Sequence, residues 1–535
     1  MNSPQSPHSI GRTLLYLGMV GGATALLSWA NVRWEVGGVQ LVSFPDWPRA
    51  THVETRVEPE AVEALLAEYE VEEPEVADTL VGLAPPVLAD WVALPNVAAA
   101  ATGWDTSGVP LGRVPATWAA ERAAQIRVPD SLHPNLRLVG DSLAFQGLWG
   151  FFEQASHRLV TGGPALHVLH FGDSQIEGDR ITSELRHGFQ QRWGGRGPGF
   201  VSAVPQAQVP GFVQTAVGWN RYTAFGKSDS TLGHQRYGLL ATVGRADTSD
   251  TSAWTAPIAF RKRNMGHRSN RVWDALHVLA SPLPDSSGVW IDCDSVRYQA
   301  QWSVDSVHAS LHASLPPSCE DLAIRFAAPG PDLNAVGFYA DSGVVVHNIP
   351  MRGSSGTIFR KAERAHWVAQ LTDLDVGLVL LQYGGNAVPY IEDEAEARQY
   401  ARWLASQIKL FQATLPEVPI ALIGPSDMST KDGLDFITYP QLLHVRTALQ
   451  EMAWEHHVLF WDLFQVMGGA NAMPAWVAAD PPLAAADHIH FTNRGARRVG
   501  ALLSESFASE FELWRSGLVP VAAPDSIPTK SEAAP

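Results

Sequence analysis

The stretch Leu166–Phe189, "LHVLHFGDSQIEGDRITSELRHGF", decides how this chain is read. The run Leu166–Phe171 is short and continuous, the pattern of a strand buried on both faces in a parallel sheet. It stops at Gly172-Asp173-Ser174, and a polar segment of helical spacing follows at once. Ile181, Leu185, Phe189 and Trp193 recur every four residues as one helical face, and Gly194-Gly195 closes the helix. A serine therefore stands where a buried strand hands over to a helix. Its hydroxyl is exposed there, and its own N–H points from a helix N-terminus.

Ahead of this unit, "SLAFQGLWGFFEQASHRL" places Leu143, Leu148, Phe151 and Phe152 at helical spacing. Behind it, from about 205 to 340, stretches such as "RYGLLATVG", "GVWIDCD" and "LAIRFAAPG" alternate with Gly, Pro, Asp and Ser turns. That texture predicts many short antiparallel strands, a β-sandwich. The strand–helix rhythm then resumes. "GVVVHNI", "VGLVLLQY", "VPIALIG" and "HVLFWDL" read as strands, with helices at 358–372, 393–414 and 438–456. A last helix, about 493–513, carries Val499, Leu502, Leu503, Phe507 and Phe511 as its core stripe. The fold class is therefore α/β, a doubly wound sheet with a β-rich region inserted after the first strand–helix unit.

The 535 residues allow two or three domains, and 46% hydrophobic content with nineteen Trp supplies a large core. The net charge of −17 excludes a nucleic-acid partner, which needs a basic face. Ten acidic residues and one Arg between Glu54 and Asp78 hold −9 of that charge. The excess thus belongs to one segment and not to a folded surface. Thr13–Val32 is twenty residues without a charge, long enough to span a bilayer as a helix. With no convincing cleavage site and no lipobox cysteine, it reads as an uncleaved anchor, the alternative being a cleaved signal peptide. Residues 34–134 read as an acidic, Pro/Ala-rich stalk and 516–535 as a disordered tail. The two cysteines, Cys293 and Cys319, are either a disulfide in an oxidising compartment or two unrelated buried thiols.

In such a sheet ligands bind at the carboxyl ends of the strands. There the sequence places Ser174, then "MRGSSGT" with Gly353 and Gly356, then "QYGGNAV" with Asn386. The last long loop, "AADHIHFTNRG", brings Asp487, His488 and His490 just before a helix N-cap at Thr492 or Asn493. A serine nucleophile needs a base, and the base needs an orienting carboxylate. Asp487 lies three residues before His490, so one loop can hold both. Asn386 offers an amide donor, and a glycine brings a backbone N–H close to an oxyanion.

"GDSQ", "SGT", "GGN" and "DHIH" occur in the order and contexts of the four blocks of the SGNH (GDSL) hydrolases, and the chain resembles that family over about 165–205 and 340–512. The resemblance implies a flavodoxin-like doubly wound sheet. It implies Ser174 as nucleophile, His490 as base and Asp487 as its partner. Ser174 N–H, an N–H of Gly356 (or of Gly353) and the Asn386 side chain would form the oxyanion hole. Two departures stand out: Gln175 replaces the usual Leu after GDS, and Ala387 replaces the Asp of GGND. The block "GDSQIEGDRITSELR…GGRGPGF" and the β-rich insertion resemble the peptidoglycan O-acetylesterases.

That implies an acetylated polysaccharide as substrate, no cofactor, and a carbohydrate-binding-like insertion at 206–340 between catalytic segments 135–205 and 341–515. The expected location is the periplasmic or extracellular face of the envelope, held by the anchor at 1–33. An acetyltransferase with the same triad and a non-catalytic carbohydrate-binding protein are the competing functions. A metal on Asp487, His488 and His490 lacks a third ligand-bearing region. Tyr222, Trp290 and Trp302 read as sandwich core before sugar platforms.

Overall fold

The computed structural model describes residues 34–36, 39–42, 137–226, 229–247, 253–283, 287–433 and 435–517. The chain divides into two units, Met1–Trp91 and Val92–Pro535. In the first, Trp34–Val36 pairs antiparallel with Val39–Val42, where the sequence reading has a stalk. The expected anchor, the rest of the stalk and the tail beyond Gly517 lie outside the described residues. Among the described residues, no helix is long and apolar enough to cross a membrane.

The second unit is built on strands β1 (Leu166–Gly172), β2 (Ala275–Ala280), β3 (Ala309–Ser314), β4 (Leu333–Tyr339), β5 (Val344–Pro350), β6 (Val376–Gln382), β7 (Ile420–Ile423) and β8 (Leu459–Trp461). Its longer helices are α1 (Ser142–Thr161), α2 (Thr182–Trp193), α3 (Arg364–Thr372), α4 (Glu394–Thr414), α5 (Pro440–Glu455) and α6 (Asn493–Arg515). Five strands form one parallel sheet in the order β5-β1-β6-β7-β8. Counted within that sheet the order is 2-1-3-4-5, the flavodoxin-like arrangement. β1 and β6 are buried along their whole lengths, because helices cover both faces. On one side α1, α2 and α6 pack together, with Phe189 against Phe507 and Trp193 against Phe511. On the other lie α3, α4 and α5 over Phe171, Phe359 and Phe411. Each such ring contributes roughly 1.5–3 kcal/mol by leaving water.

Two local expectations change. Leu143 is 52% exposed, and the buried face of α1 starts instead at Ala144 and Phe145. The helix expected from 358 is split into a 3-10 turn, Phe359–Lys361, and α3, because Phe359 turns inward onto Trp367 and Phe411.

The inserted region holds a five-stranded and a seven-stranded antiparallel sheet that share one hydrophobic core. Phe212 and Phe260 of one sheet meet Phe338 of the other. Gly199–Val201 already pairs antiparallel with β4, so the insertion begins before residue 206, where sequence texture put it. Trp290 packs on Trp254 and Trp302 on Phe326. Cys293 and Cys319 are disulfide-bonded, with Cα atoms 5.6 Å apart, inside the normal span for such a bond.

Candidate active site

Ser174 opens a 3-10 turn, Ser174–Asp179, and not the long helix expected after β1. The turn is broken by Gly178 and Asp179, both at positive φ, and α2 starts only at Thr182. The cause is Asp179: its backbone bend sends the carboxylate to Arg186 of α2, at 2.6 and 3.0 Å. The first N–H groups of the turn, Ser174's included, have no partner within it.

The final loop meets this turn from the other end of the chain. Ser174 Oγ lies 3.0 Å from His490 Nε2. His490 Nδ1 lies 2.7 Å from Asp487 Oδ2, while Asp487 Oδ1 accepts the N–H groups of Ile489 and His490 at 2.9 and 3.0 Å. Burial works to raise the Asp487 carboxyl, but the His490 N–H and ring, with the Ile489 N–H, outweigh it and hold the group below its ordinary range. Thr492 caps α6 by accepting from Gly495, which fixes the loop directly ahead of a helix. His488 turns away: it is buried and stacked on Phe436 with ring centroids 3.7 Å apart. Asp487, His488 and His490 thus do not converge on one point.

Gln175, which departs from the usual motif, ties the two ends together. Its Nε2 donates to Ile489 O at 2.8 Å, and Arg180 donates to Phe491 O and Ser174 O at 2.9 and 3.1 Å. Gln175 is buried, so its work is to hold the histidine loop. The spacing of the motif gave no sign of this role.

Asn386 sits in a 3-10 turn after β6, with Nδ2 donating to Asp173 Oδ2 at 3.0 Å and Ser354 O at 3.2 Å. Asp173 also accepts the Gln175 N–H at 2.9 Å. Sequence reasoning passed over Asp173, although it lies inside the GDS block. Gly356 does not offer a free N–H. At φ +79° and buried, it donates to Ser354 Oγ at 3.1 Å, and an added Cβ would fall 2.7 Å from the Tyr383 ring. Gly353, also left-handed at φ +78°, is exposed, and its N–H has no partner among the described residues. An added Cβ there meets only the Phe225 ring of the insertion, so the insertion reaches the rim of this face.

Burial raises the Asp173 carboxyl from 3.8 to about 6, against the opposing pull of the Gln175 N–H, His490 and Asn386. A carboxyl raised in the folded state binds its proton more tightly there than in the unfolded chain. Stability due to it is therefore full below the unfolded value and is lost as pH rises towards 6, by about 3 kcal/mol for a shift of this size. Urea unfolding from pH 4 to pH 7 should show wild type losing ground to Asp173→Asn by that order. A pH-independent difference would show that the carboxyl titrates as in water.

No family model matches the sequence, and no curated protein matches it. Solved structures do. A peptidoglycan O-acetylesterase is similar with a TM-score of 0.55 at 20% identity, over 69% of this chain and 97% of that one. An acetyl xylan esterase matches with a TM-score of 0.22 at 14% identity, over 30% and 81% of the two chains. A carbohydrate esterase family 2 enzyme with a carbohydrate-binding domain, from Corynascus thermopiles (Myceliophthora fergusii), has a TM-score of 0.24 at 10% identity, over 55% and 99%. The last two are too remote to argue from. The parallel 2-1-3-4-5 sheet, the four motif blocks at its strand ends and the first likeness together assign this chain the fold of the SGNH (GDSL) hydrolases.

Proposed function

We propose that the chain is a serine esterase that removes O-acetyl groups from peptidoglycan or a related envelope polysaccharide. The observation that carries this reading is the hydrogen-bonded series Ser174 Oγ, His490, Asp487. His490 Nε2 takes the Ser174 proton as the hydroxyl attacks the acetyl carbonyl, and Asp487 holds the ring and stabilises the imidazolium. The tetrahedral oxyanion is met by the Ser174 N–H, by the N–H of Gly356, released from Ser354 Oγ, or of Gly353, and by Asn386, which gives up its bond to Ser354 O for it. The sugar hydroxyl leaves with the proton from His490. Water, deprotonated by the same ring, then releases acetate from the acyl-enzyme. The likeness to a peptidoglycan O-acetylesterase supports that polymer as substrate. The disulfide between Cys293 and Cys319 supports a working place outside the cytoplasm, where Thr13–Val32 would hold the chain to the membrane.

The test is acetate release by the full-length protein from acetylated peptidoglycan and from acetylated xylan, with and without sugar acceptors. Release from peptidoglycan that is indifferent to acceptors is expected. Acetyl appearing on the acceptor in place of free acetate would make the chain a transferase, and release from xylan alone would refute the envelope substrate.

A further inference from the structure

The inserted region carries a second group of reactive side chains. His277 on β2 and His312 on β3 are direct partners in the antiparallel register. Both therefore project from the same face of the sheet, with Cβ atoms about 5 Å apart. Asp341 follows β4, which flanks β2 on its other side, and lies in the turn that leads into β5. Its carboxylate stands 2.9 Å from His312 Nε2 and 3.2 Å from His277 Nε2. The ligating atoms of all three lie within 4.8 Å of one another.

His277 is the informative member. Its Nε2 is buried and makes no hydrogen bond, although a carboxylate oxygen is so near. The two atoms are close but not aligned for a proton to bridge them. The ring cannot easily turn to correct this, because it lies flat on Tyr339, 3.7 Å between centroids and 7° between planes. The cluster borders a cavity of about 260 Å³ that His167, Asp373 and Asp375 also line.

We propose that His277 Nε2, His312 Nε2 and the Asp341 carboxylate bind one divalent transition-metal ion of the zinc type, with its fourth position open to the cavity. Zinc takes imidazole nitrogen and carboxylate oxygen at about 2.0–2.2 Å in a tetrahedron, which sets neighbouring ligand atoms about 3.3 Å apart. The separations of 2.9 and 3.2 Å are near that value, so a small outward movement of half-exposed His312 and Asp341 admits the ion. Two imidazoles and a single carboxylate suit zinc better than calcium or magnesium, which prefer all-oxygen shells. The cavity is lined by Ala165 and His167 at the start of β1 and by Leu374 and Asp375 just before β6. Ser174 follows the opposite end of β1. The ion would thus join two strands of the insertion to the turn where the chain returns to the parallel sheet. It would brace the insertion and take no part in ester cleavage.

The test is titration of the full-length protein, carrying no polyhistidine tag and first stripped with a chelator, with zinc chloride. Calorimetry, elemental analysis after gel filtration and thermal unfolding are the readouts. One zinc per chain and a higher melting temperature are expected. His312→Ala and Asp341→Ala, both at half-exposed positions that tolerate truncation, should each weaken binding about 100-fold or more, since outer-sphere changes alone cost 10- to 100-fold. Acetate release by the metal-free protein should match that of the loaded protein within about twofold. Failure of wild type to bind zinc, or wild-type affinity in either variant, overturns the proposal.

Discussion

Ser174→Ala is expected to lower acetyl-ester turnover by about 10,000- to 1,000,000-fold while leaving the fold intact. Without its Oγ, no acyl-enzyme forms, and only the oxyanion donors and substrate binding remain to favour hydrolysis by water. The structural cost is small, because Ser174 is half-buried and, among the described residues, its hydroxyl is hydrogen-bonded to the His490 side chain alone. Losing such a bond costs roughly 0.5–1.5 kcal/mol. Acetate release and covalent labelling by an organophosphonate check the nucleophile, and circular dichroism checks the fold. His490→Ala should be nearly as damaging. The double variant should be little worse than either alone, because the two residues act as a unit. A Ser174→Ala protein that retains more than a tenth of wild-type turnover, or that still takes the label at the active site, would remove Ser174 from the mechanism.

Arg186→Ala should produce the largest loss of stability, about 3–5 kcal/mol. Arg186 is wholly buried on α2, with its guanidinium forked onto Asp179 and its Nε donating to Val346 O at 2.7 Å. Burial pushes the Asp179 carboxyl up, and Arg186 is the main opposing influence. Truncating the arginine leaves an uncompensated carboxylate inside the protein, beside the backbone bend that ends the Ser174 turn. The penalty should ease as pH falls, since protonation discharges Asp179. A second change, Asp179→Ala, should recover part of the loss, because the orphaned charge goes with it. Urea unfolding of the single and double variants provides the check. A single-variant cost below about 1 kcal/mol would mean that water reaches Asp179 readily.

The sequence by itself determined the features that depend on neighbours three or four residues apart. Ile181, Leu185, Phe189 and Trp193 had to face inward together, and all four are buried. Thr492 could be named as one of two N-caps, and it caps α6. Buried runs alternating with helices implied a parallel sheet, and a parallel sheet implied that Ser174, Asn386 and His490 share one edge. The two cysteines were expected to pair if the compartment is oxidising, and they are disulfide-bonded.

Tertiary structure decided what depends on groups distant in sequence. Ser174 and His490 are 316 positions apart in the chain and 3.0 Å apart in space, a distance that no local pattern contains. Leu143 fits the helical spacing of α1 yet faces water, because exposure depends on what the helix packs against. Gly353 and Gly356 both need left-handed backbone, so their identity alone could not say which keeps a free N–H. That depended on Ser354 Oγ reaching one and not the other. His277, His312 and Asp341 carried no motif at all. They meet because a strand register sets two histidines side by side and a turn from a third strand ends next to them, a coincidence that forms only when the sheet does.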